Sequence, residues 1–158
     1  MLARPLPALS FLPSMCFYLL LLHFLISNII WRYELYENYQ RTVHNDPPWQ
    51  ITRSGFTSFL CKSPLGSTTT PSGMRLGSYH QCYRVDGRLV AMGVLDLLPH
   101  CVSGVYFMYH EDYRAWGFGK LSACREAALA REGGYQYYYM GIYRLICPDL
   151  KSMPQTLI

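Results

Sequence analysis

The most constraining feature of this sequence is an Asp86-Gly87 pair that lies between two strand-like segments. Residues 79–85 and 88–98 are apolar, aromatic and β-branched for most of their length. Asp-Gly is a preferred pair for a two-residue type I′ turn, which joins antiparallel strands. The sequence therefore predicts a β-hairpin near the middle of the chain.

Three further elements follow this hairpin. Residues 101–109 read as a third strand, and 120–132 have the spacing of a helix that the Gly133-Gly134 pair ends. Residues 135–143 then read as a fourth strand. Strands and a helix in this order predict an α/β fold with a mixed sheet. Because ligands of such sheets bind where strands end and helices begin, we expect a site at the strand–helix–strand unit.

The segments before the hairpin are less regular. Residues 32–44 have a helical period, which the NDPPW run at 45–49 is expected to end. Thr52 or Ser54 is suited to cap a short helix after it. Residues 64–78 are rich in Gly, Ser, Thr and Pro, and this composition predicts a loop.

The first 31 residues differ from the rest of the chain, and we divide the sequence into an apolar N-terminal segment, 1–31, and a domain, 32–158. The segment carries one charge, Arg4, and residues 15–31 are almost wholly apolar. Their length is at the lower edge of a bilayer span. Three interpretations stay open: a membrane anchor, a targeting peptide, or sequence that is not native to the protein.

Net charge, cysteine spacing and the catalytic motifs that the sequence lacks limit the classes of function. The net charge of +4 is compatible with a nucleic-acid partner without requiring one. The six cysteines form no CxxC or CxC pair, so spacing gives no support to zinc or cluster binding. No Walker loop, HExxH or EF-hand pattern occurs, and no Ser-His-Asp arrangement is visible. Hydrolases and nucleoside triphosphatases are therefore disfavoured.

A glycine-containing motif stands at the predicted strand-to-helix junction. The run RAWGFGK at 114–120 contains Arg-x-x-Gly-x-Gly, which resembles the pyrophosphate loop of acetyltransferases that use acetyl-CoA. Glycines let the backbone approach a phosphate, and free amides at a helix start receive it. The alternative is an ordinary turn that begins a helix.

Several charged residues are candidates for chemistry. Asp96 interrupts an apolar strand near its end, where a buried carboxylate needs a partner from the protein or a ligand. His80 lies on a strand, a position that is more often structural than catalytic. Arg125 and Glu126 lie on the helix and are typical of a solvated face, with Arg125 able to contact an anion.

Several separated blocks carry a family resemblance, and they include YELYENYQRTVHND, GSYHQCYRVDGRLVAMGVLDLLP, CVSGVYFMY, GKLSACREAALARE and YYYMGIY. In this order they closely resemble the C-terminal catalytic region of arginyl-tRNA–protein transferases, from about Tyr33 to Pro148. That family is similar in fold to the acetyltransferases. The resemblance implies an acetyltransferase-like (GNAT-like) α/β fold, truncated at its C-terminus, and a partial catalytic domain over 32–158.

The resemblance also implies a function. It is transfer of arginine from arginyl-tRNA to proteins with N-terminal Asp or Glu, which marks them for ubiquitin-dependent degradation in the N-degron pathway. Expected partners are arginyl-tRNA and proteins with acidic N-termini, not DNA, and a membrane only if 15–31 is an anchor. The expected location is cytoplasmic and nuclear, or membrane-associated through 15–31. The alternatives are a CoA-dependent N-acetyltransferase of the same fold and an inactive binding fragment.

Site residues follow from this reaction, in which the aminoacyl ester is already activated and needs only positioning and charge stabilisation. Asp96 and Glu126 are candidates to bind the arginyl guanidinium or the amine, and His80 completes the catalytic set. The expected groove and tRNA contacts are Tyr79, Gln81, Tyr83, Tyr106, Lys120, Arg125, Tyr138 and Tyr139. No metal is expected, and no cofactor, because the family's cysteine-cluster domain is absent here. The family usually has Ser where this chain has Gly104.

Overall fold

A computed structural model describes residues 15–21 and 29–140, which form a mixed sheet with helices on both faces. The strands are β1 Met15–Leu21, β2 Thr68–Thr69, β3 Arg75–Val85, β4 Arg88–Leu98, β5 Cys101–Tyr109 and β6 Tyr137–Tyr139. The helices are α1 Ile29–Tyr39, α2 Arg53–Phe56 and α3 Phe118–Glu132. Gln40–His44 and Thr57–Cys61 are π-helical turns, and Glu111–Trp116 is a 3-10 turn.

The strands of the described residues follow the order β1-β3-β4-β5-β6, and β2 also pairs with β3. Every pair is antiparallel except β5 and β6, which run parallel and are joined by α3. A parallel pair needs a crossover of this kind. The prediction of a mixed α/β sheet is therefore confirmed.

The predicted hairpin is confirmed at β3 and β4. Asp86 has a φ of 47° and Gly87 a φ of 82°, as a type I′ turn requires at both positions. The prediction of a loop over 64–78 is wrong in part. β3 begins at Arg75 and pairs with β2, so this segment contributes strand as well as loop.

The helical predictions before the hairpin hold with shifted ends. α1 begins at Ile29 rather than at 32, and the helical backbone continues as a π-turn to His44. It ends at Asn45, whose φ of 59° is left-handed, and so before the two prolines that follow. The cap of α2 is confirmed at Thr52, whose hydroxyl accepts the Gly55 amide at 3.0 Å.

The apolar N-terminal segment contributes a strand. β1 pairs antiparallel with β3 over its whole length, with Met15 opposite Val85 and Leu21 opposite Tyr79. Among residues 15–21 and 29–140, no helix has the length and apolar character that a membrane span needs. The division of the chain at residue 31 stays a prediction, and α1 runs across it.

The crossover from β5 to β6 differs from the prediction only at its ends. α3 starts at Phe118, two residues before the predicted start, because Gly117 is left-handed at φ 65° and provides the helix entry. β6 covers Tyr137–Tyr139, whereas the predicted fourth strand ran over 135–143. Its last three residues, 141–143, lie outside the described residues.

Both faces of the sheet carry a core, so β3 and β4 are buried almost throughout. α1 and α2 cover one face, where their side chains pack on Cys82, Met92 and Val94. α3 covers the other, which we call the α3 face. There two clusters meet it, made of Tyr79, Tyr83, Val85, Val90, Ala91, Leu95, Leu97, Val102, Phe107, Phe118, Leu129, Ala130 and Tyr135.

Candidate functional site

Glu126 of α3 is the carboxylate that the structure places most unusually. It is 4% exposed and points at the sheet between β4 and β5. Its Oε1 lies 3.3 Å from where a Cβ of Gly93 would be, and its Oε2 3.0 Å from where a Cβ of Gly104 would be. Two glycines in adjacent strands thus make room for this carboxyl, since any larger residue would crowd it.

One side chain binds Glu126 directly. The Tyr138 hydroxyl, on β6, donates to Glu126 Oε2 at 2.7 Å. Burial raises the pKa of Glu126 to about 7, and the bond from Tyr138 opposes this rise. Glu126 therefore exchanges its proton near neutral pH, which is the property that acid–base chemistry requires.

The sheet is irregular at this point. The β4–β5 register shifts after Val94, which faces Tyr106, while Leu95 faces Gly104, so Val105 is an extra residue in β5. Bulges of this kind are frequent next to active sites.

The parallel pairing of β5 with β6 also ends here. It covers Cys101–Ser103, and the next residue, Gly104, faces the Tyr139 carbonyl and Glu126. Among the described residues, β5 then runs on to Tyr109 with no strand on its outer side. Glu126 thus lies at the end of the described pairing between two parallel strands, and the carboxyl ends of such strands are a common location for ligand binding.

Gln81 and Tyr83 of β3 share the α3 face with Glu126. Gln81 stands opposite Gly93 in the sheet, and its Cβ is 3.9 Å from the Cβ position of that glycine. Its Nε2 donates to the Tyr83 hydroxyl at 3.1 Å, while its Oε1 is buried without a hydrogen-bond partner among the described residues. Burial, and next the charge of Glu126, raises the pKa of Tyr83, so this hydroxyl stays neutral.

His80 points to the opposite face of the sheet. It is fully buried between Arg32 of α1 and the Leu60 carbonyl. Because that carbonyl can only accept, His80 Nε2 donates to it at 2.8 Å, and Nδ1 accepts from Arg32 Nη1 at 3.0 Å. Burial, and next the Arg32 charge, lowers the pKa of His80 to about 4. This imidazole is neutral at physiological pH and holds α1 to the sheet.

Asp96 lies on the same face as His80. Ser78, directly opposite in β3, donates to Asp96 Oδ1 at 2.5 Å, and Ser63 bonds to Ser78 at 2.6 Å. We expected the Asp96 carboxylate to need a partner from the protein or a ligand, and the structure provides the Ser78 hydroxyl. The structure does not bring Asp96 and Glu126 together, since the sheet separates them.

Four of the predicted site residues lie close together in β3 and alternate between its two faces: Tyr79, His80, Gln81 and Tyr83. Tyr79 lies on the α3 face in the apolar cluster with Leu95 and Leu97.

The remaining predicted contacts are dispersed. Tyr106 lies on the α1 side and donates to Gln40 Oε1 at 2.8 Å. Tyr139 is 57% exposed and lies next to Tyr138 in β6. Lys120 is exposed in the first turn of α3, and Arg125 binds both carboxylate oxygens of Glu132 at 2.9 and 2.7 Å. Of the predicted residues, the structure groups Gln81, Tyr83, Glu126 and Tyr138.

The glycine-containing run 114–120 forms the entry to α3. A Cβ at Gly117 or Gly119 would meet no atom within 4 Å, so the backbone is open there. The Trp116 ring stacks on Phe118 with an interplanar angle of 9°. The role of this loop in binding phosphate stays a prediction.

Sequence reasoning missed four residues that shape these sites: Arg32, Ser78, Gly93 and Gly104. The two glycines carried a signal, because an isolated glycine inside a strand indicates close approach of another group. Arg32 gave no such signal, since a basic residue in an amphipathic helix is normally exposed.

A cavity of about 250 Å³ lies elsewhere, between α1, β4 and the 3-10 turn. It is lined by Trp31, Glu34, Leu35, Arg88, Leu89 and His110. None of the predicted site residues lines it, so we place the candidate site at Glu126.

Solved structures that this chain resembles in fold include acetyltransferases. The chain resembles the ribosomal-protein-alanine N-acetyltransferase of Brucella melitensis biovar Abortus with a TM-score of 0.54 and 17% identity, covering 80% of this chain and 79% of that one. A possible acetyltransferase of Clostridium difficile gives 0.57 and 8%, covering 91% and 93%. The mixed sheet with its α3 crossover belongs to the acetyltransferase-like, or GNAT, class of folds.

The particular family follows from sequence. Residues 31–152 match the family described as arginine-tRNA-protein transferase, C terminus, and the chain belongs to this family. It is 42% identical over 130 residues to arginyl-tRNA–protein transferase 1 of Arabidopsis thaliana, which covers 75% of this chain and 20% of that protein. The Saccharomyces cerevisiae enzyme of the same name is 35% identical over 138 residues, 75% of this chain and 27% of the relative.

A more distant relative is an aspartate/glutamate leucyltransferase of Helicobacter hepaticus, 26% identical over 110 residues, which cover 70% of this chain and 43% of the relative. The chain spans less than a third of the two arginyltransferases described above. The predicted family and fold are confirmed.

Proposed function

We propose that this chain carries the acyl-transfer site of an arginyltransferase, which moves arginine from arginyl-tRNA to the N-terminal amine of a protein. Family membership and the relatives' names support this reaction. The observation that carries the proposal is the buried Glu126 carboxyl, whose pKa burial raises to about 7 and which lies beside the end of the β5–β6 pairing.

The chemistry requires one base and no covalent intermediate. The neutral N-terminal amine attacks the ester carbonyl of arginyl-tRNA, and a C–N bond forms. The nitrogen then loses a proton to the Glu126 carboxylate. The C–O bond to the ribose breaks, and the ribose oxygen receives a proton from Glu126. Because α-amines have a pKa near 8, a useful fraction is neutral at physiological pH.

The raised pKa of Glu126 suits this cycle. A carboxyl with its ordinary pKa would hold the proton too weakly to accept it from the amine and return it to the ribose. The Tyr138 hydroxyl binds Glu126 Oε2 and so fixes the orientation of the carboxyl. The other oxygen, Oε1, then lies against Gly93 of β4. Positioning of this kind supplies much of the rate in reactions of activated substrates.

The proposal extends to partners. Acceptors are proteins with N-terminal Asp or Glu, which agrees with the name of the aspartate/glutamate leucyltransferase relative. The donor is arginyl-tRNA, the chain needs no cofactor of its own, and its place of action is the cytoplasm and nucleus. Arginylated products would enter ubiquitin-dependent degradation.

The test measures, with the full chain, how arginine transfer depends on the donor of arginine and on the N-terminal residue of the acceptor peptide. Radiolabelled arginyl-tRNA is mixed with peptides that differ only in an N-terminal Asp or Ala. We expect label in the Asp peptide alone, and none when free arginine replaces arginyl-tRNA. Label transferred instead from acetyl-CoA, with acetyl-CoA binding in calorimetry, would favour the acetyltransferase alternative. Binding of arginyl-tRNA without any transfer would favour the inactive fragment.

A further inference from the structure

Gln81 has a buried hydrogen-bond acceptor that the fold leaves unused. The side chain is 2% exposed, its Nε2 is bound to the Tyr83 hydroxyl, and its Oε1 has no partner among the described residues. Leaving a buried acceptor unpaired costs about 1–3 kcal/mol, so such groups in folded proteins call for an explanation.

The position of this acceptor points to Glu126. Both side chains meet Gly93 on the α3 face, with Glu126 Oε1 at 3.3 Å and Gln81 Cβ at 3.9 Å from its Cβ position. Two hydrogen bonds are made beside these side chains. Tyr138 donates to Glu126 Oε2, and Gln81 Nε2 donates to the Tyr83 hydroxyl. Gln81 Oε1 is therefore an acceptor without a donor, and it lies on the same glycine as the Glu126 carboxyl.

The geometry points to Gln81 Oε1 and Glu126 as a pair of acceptors that hold the attacking amine of the acceptor protein. A neutral primary amine has two N–H groups and one lone pair. If the amide oxygen takes one N–H and the carboxylate takes the other, the lone pair is left free for the ester carbonyl. After attack, the N–H on Glu126 is the proton that leaves, and the N–H on Gln81 becomes the amide N–H of the product.

This inference rests on the proposed function, because it assigns the substrate amine to the same site. It predicts an effect of Gln81 on the transfer reaction that a purely structural role for this residue would not produce. A Gln81→Met variant keeps the volume but loses both the free acceptor Oε1 and the bond that Nε2 donates to Tyr83. A loss in Gln81→Met that exceeds the loss in Tyr83→Phe, which also breaks the bond between these two residues, therefore reports on the amine.

The experiment compares the full chain with its Gln81→Met variant, using peptides that begin with Asp or with N-methyl-Asp. The N-methyl peptide has only one N–H when neutral, so it cannot serve both acceptors. We expect Gln81→Met to lower kcat/KM for the Asp peptide about tenfold, the value of one hydrogen bond of this kind. Binding of arginyl-tRNA should be unchanged, and the preference for Asp over N-methyl-Asp should shrink by a similar factor.

The matched control is Tyr83→Phe, which removes only the hydroxyl that holds the Gln81 amide. It should lower the same kcat/KM by less than Gln81→Met does. Unchanged kcat/KM and unchanged discrimination in Gln81→Met, beside an active parent chain, would overturn the inference and leave the proposed function standing.

If the parent chain transfers no arginine, the proposed function fails, and calorimetry of the Asp peptide alone decides the inference. Weaker peptide binding to Gln81→Met would then support the amine site. Equal binding to both chains would overturn it.

Discussion

Tyr138 and Glu126 join β6 to α3 through a hydrogen bond of 2.7 Å, made at the point where β5 and β6 stop pairing. Because α3 belongs to the crossover from β5 to β6, this bond ties the crossover helix to the second of the two strands. The same contact therefore fixes the local fold and the protonation of the one carboxyl that we place at the site.

Removing the Tyr138 hydroxyl should raise the pKa of Glu126 further above its value of about 7, because this bond opposes the effect of burial. In a Tyr138→Phe variant we expect the acidic limb of the pH–rate profile for arginine transfer to move to higher pH. Tyr139→Phe, at the exposed neighbour, is the control and should leave the limb in place. An unmoved limb in Tyr138→Phe would contradict the assignment of that limb to Glu126.

A methyl group at Gly104 should disturb the site sterically. A Cβ there would lie 3.0 Å from Glu126 Oε2 and 3.4 Å from the Tyr139 carbonyl, so the carboxyl that binds Tyr138 must shift by a few tenths of an ångström. We expect Gly104→Ala to cost about 1–3 kcal/mol in unfolding free energy and to slow transfer. Gly66→Ala, where no atom lies within 4 Å, should be near neutral in chemical denaturation. Equal stability of the two variants would mean that Glu126 does not occupy this space.

The stability of the protein should depend on pH through two opposing groups. The pKa of His80 is about 4 in the folded protein against 6.5 unfolded, so its stabilisation is present above pH 6.5 and lost as the pH falls toward 4. The pKa of Glu126 is about 7 against 4.5, so its stabilisation is present below pH 4.5 and lost as the pH rises through 7. Each limb is on the order of 3 kcal/mol, and between pH 4.5 and 6.5 they partly cancel.

Two variants separate these limbs. In Glu126→Gln only the His80 limb remains, so unfolding free energy should rise steadily with pH from 4 to 6.5. In His80→Asn only the Glu126 limb remains, and stability should fall with pH from 4.5 to 7. Urea denaturation at half-unit pH steps measures both slopes, and slopes of the same sign would contradict the burial of one of the two groups.

The hairpin turn gives a prediction about folding alone. Gly87 has a φ of 82°, which an alanine adopts only with strain, whereas Gly66 is not constrained in this way. We expect Gly87→Ala to lower the unfolding free energy by about 1 kcal/mol or more, with Gly66→Ala near zero. A neutral Gly87→Ala in the same denaturation series would show that the turn adapts.

The sequence predicted the hairpin, β5 and α3 because each carries a local signal: the Asp-Gly pair, a run of apolar residues, and helical spacing. It did not predict which side chains share a face. β3 and β4 are buried on both sides, so the polar–apolar alternation that normally reveals a face is missing. His80 and Gln81 were therefore both assigned to one site, although the strand directs them to opposite faces of the sheet.

The burial of Glu126 was also not predicted from the sequence. In the helix it follows Arg125 and precedes alanines, a pattern typical of a solvated face. Its burial depends on Gly93 and Gly104, which are distant in sequence and become its neighbours only through the register of β4 and β5. Long-range pairing of this kind leaves no mark in the local pattern of the helix.

The most direct test of this account is the transfer rate of Glu126→Gln, which keeps the shape of the side chain and removes the base. The control is Glu34→Gln, at an exposed carboxylate of α1 on the other side of the sheet. With arginyl-tRNA and an Asp-initiated peptide at pH 7.5, we expect Glu126→Gln to lower kcat by about 100-fold or more, with arginyl-tRNA binding intact. Glu34→Gln should transfer at the parental rate. A Glu126→Gln chain that transfers arginine as fast as the parent would contradict the account.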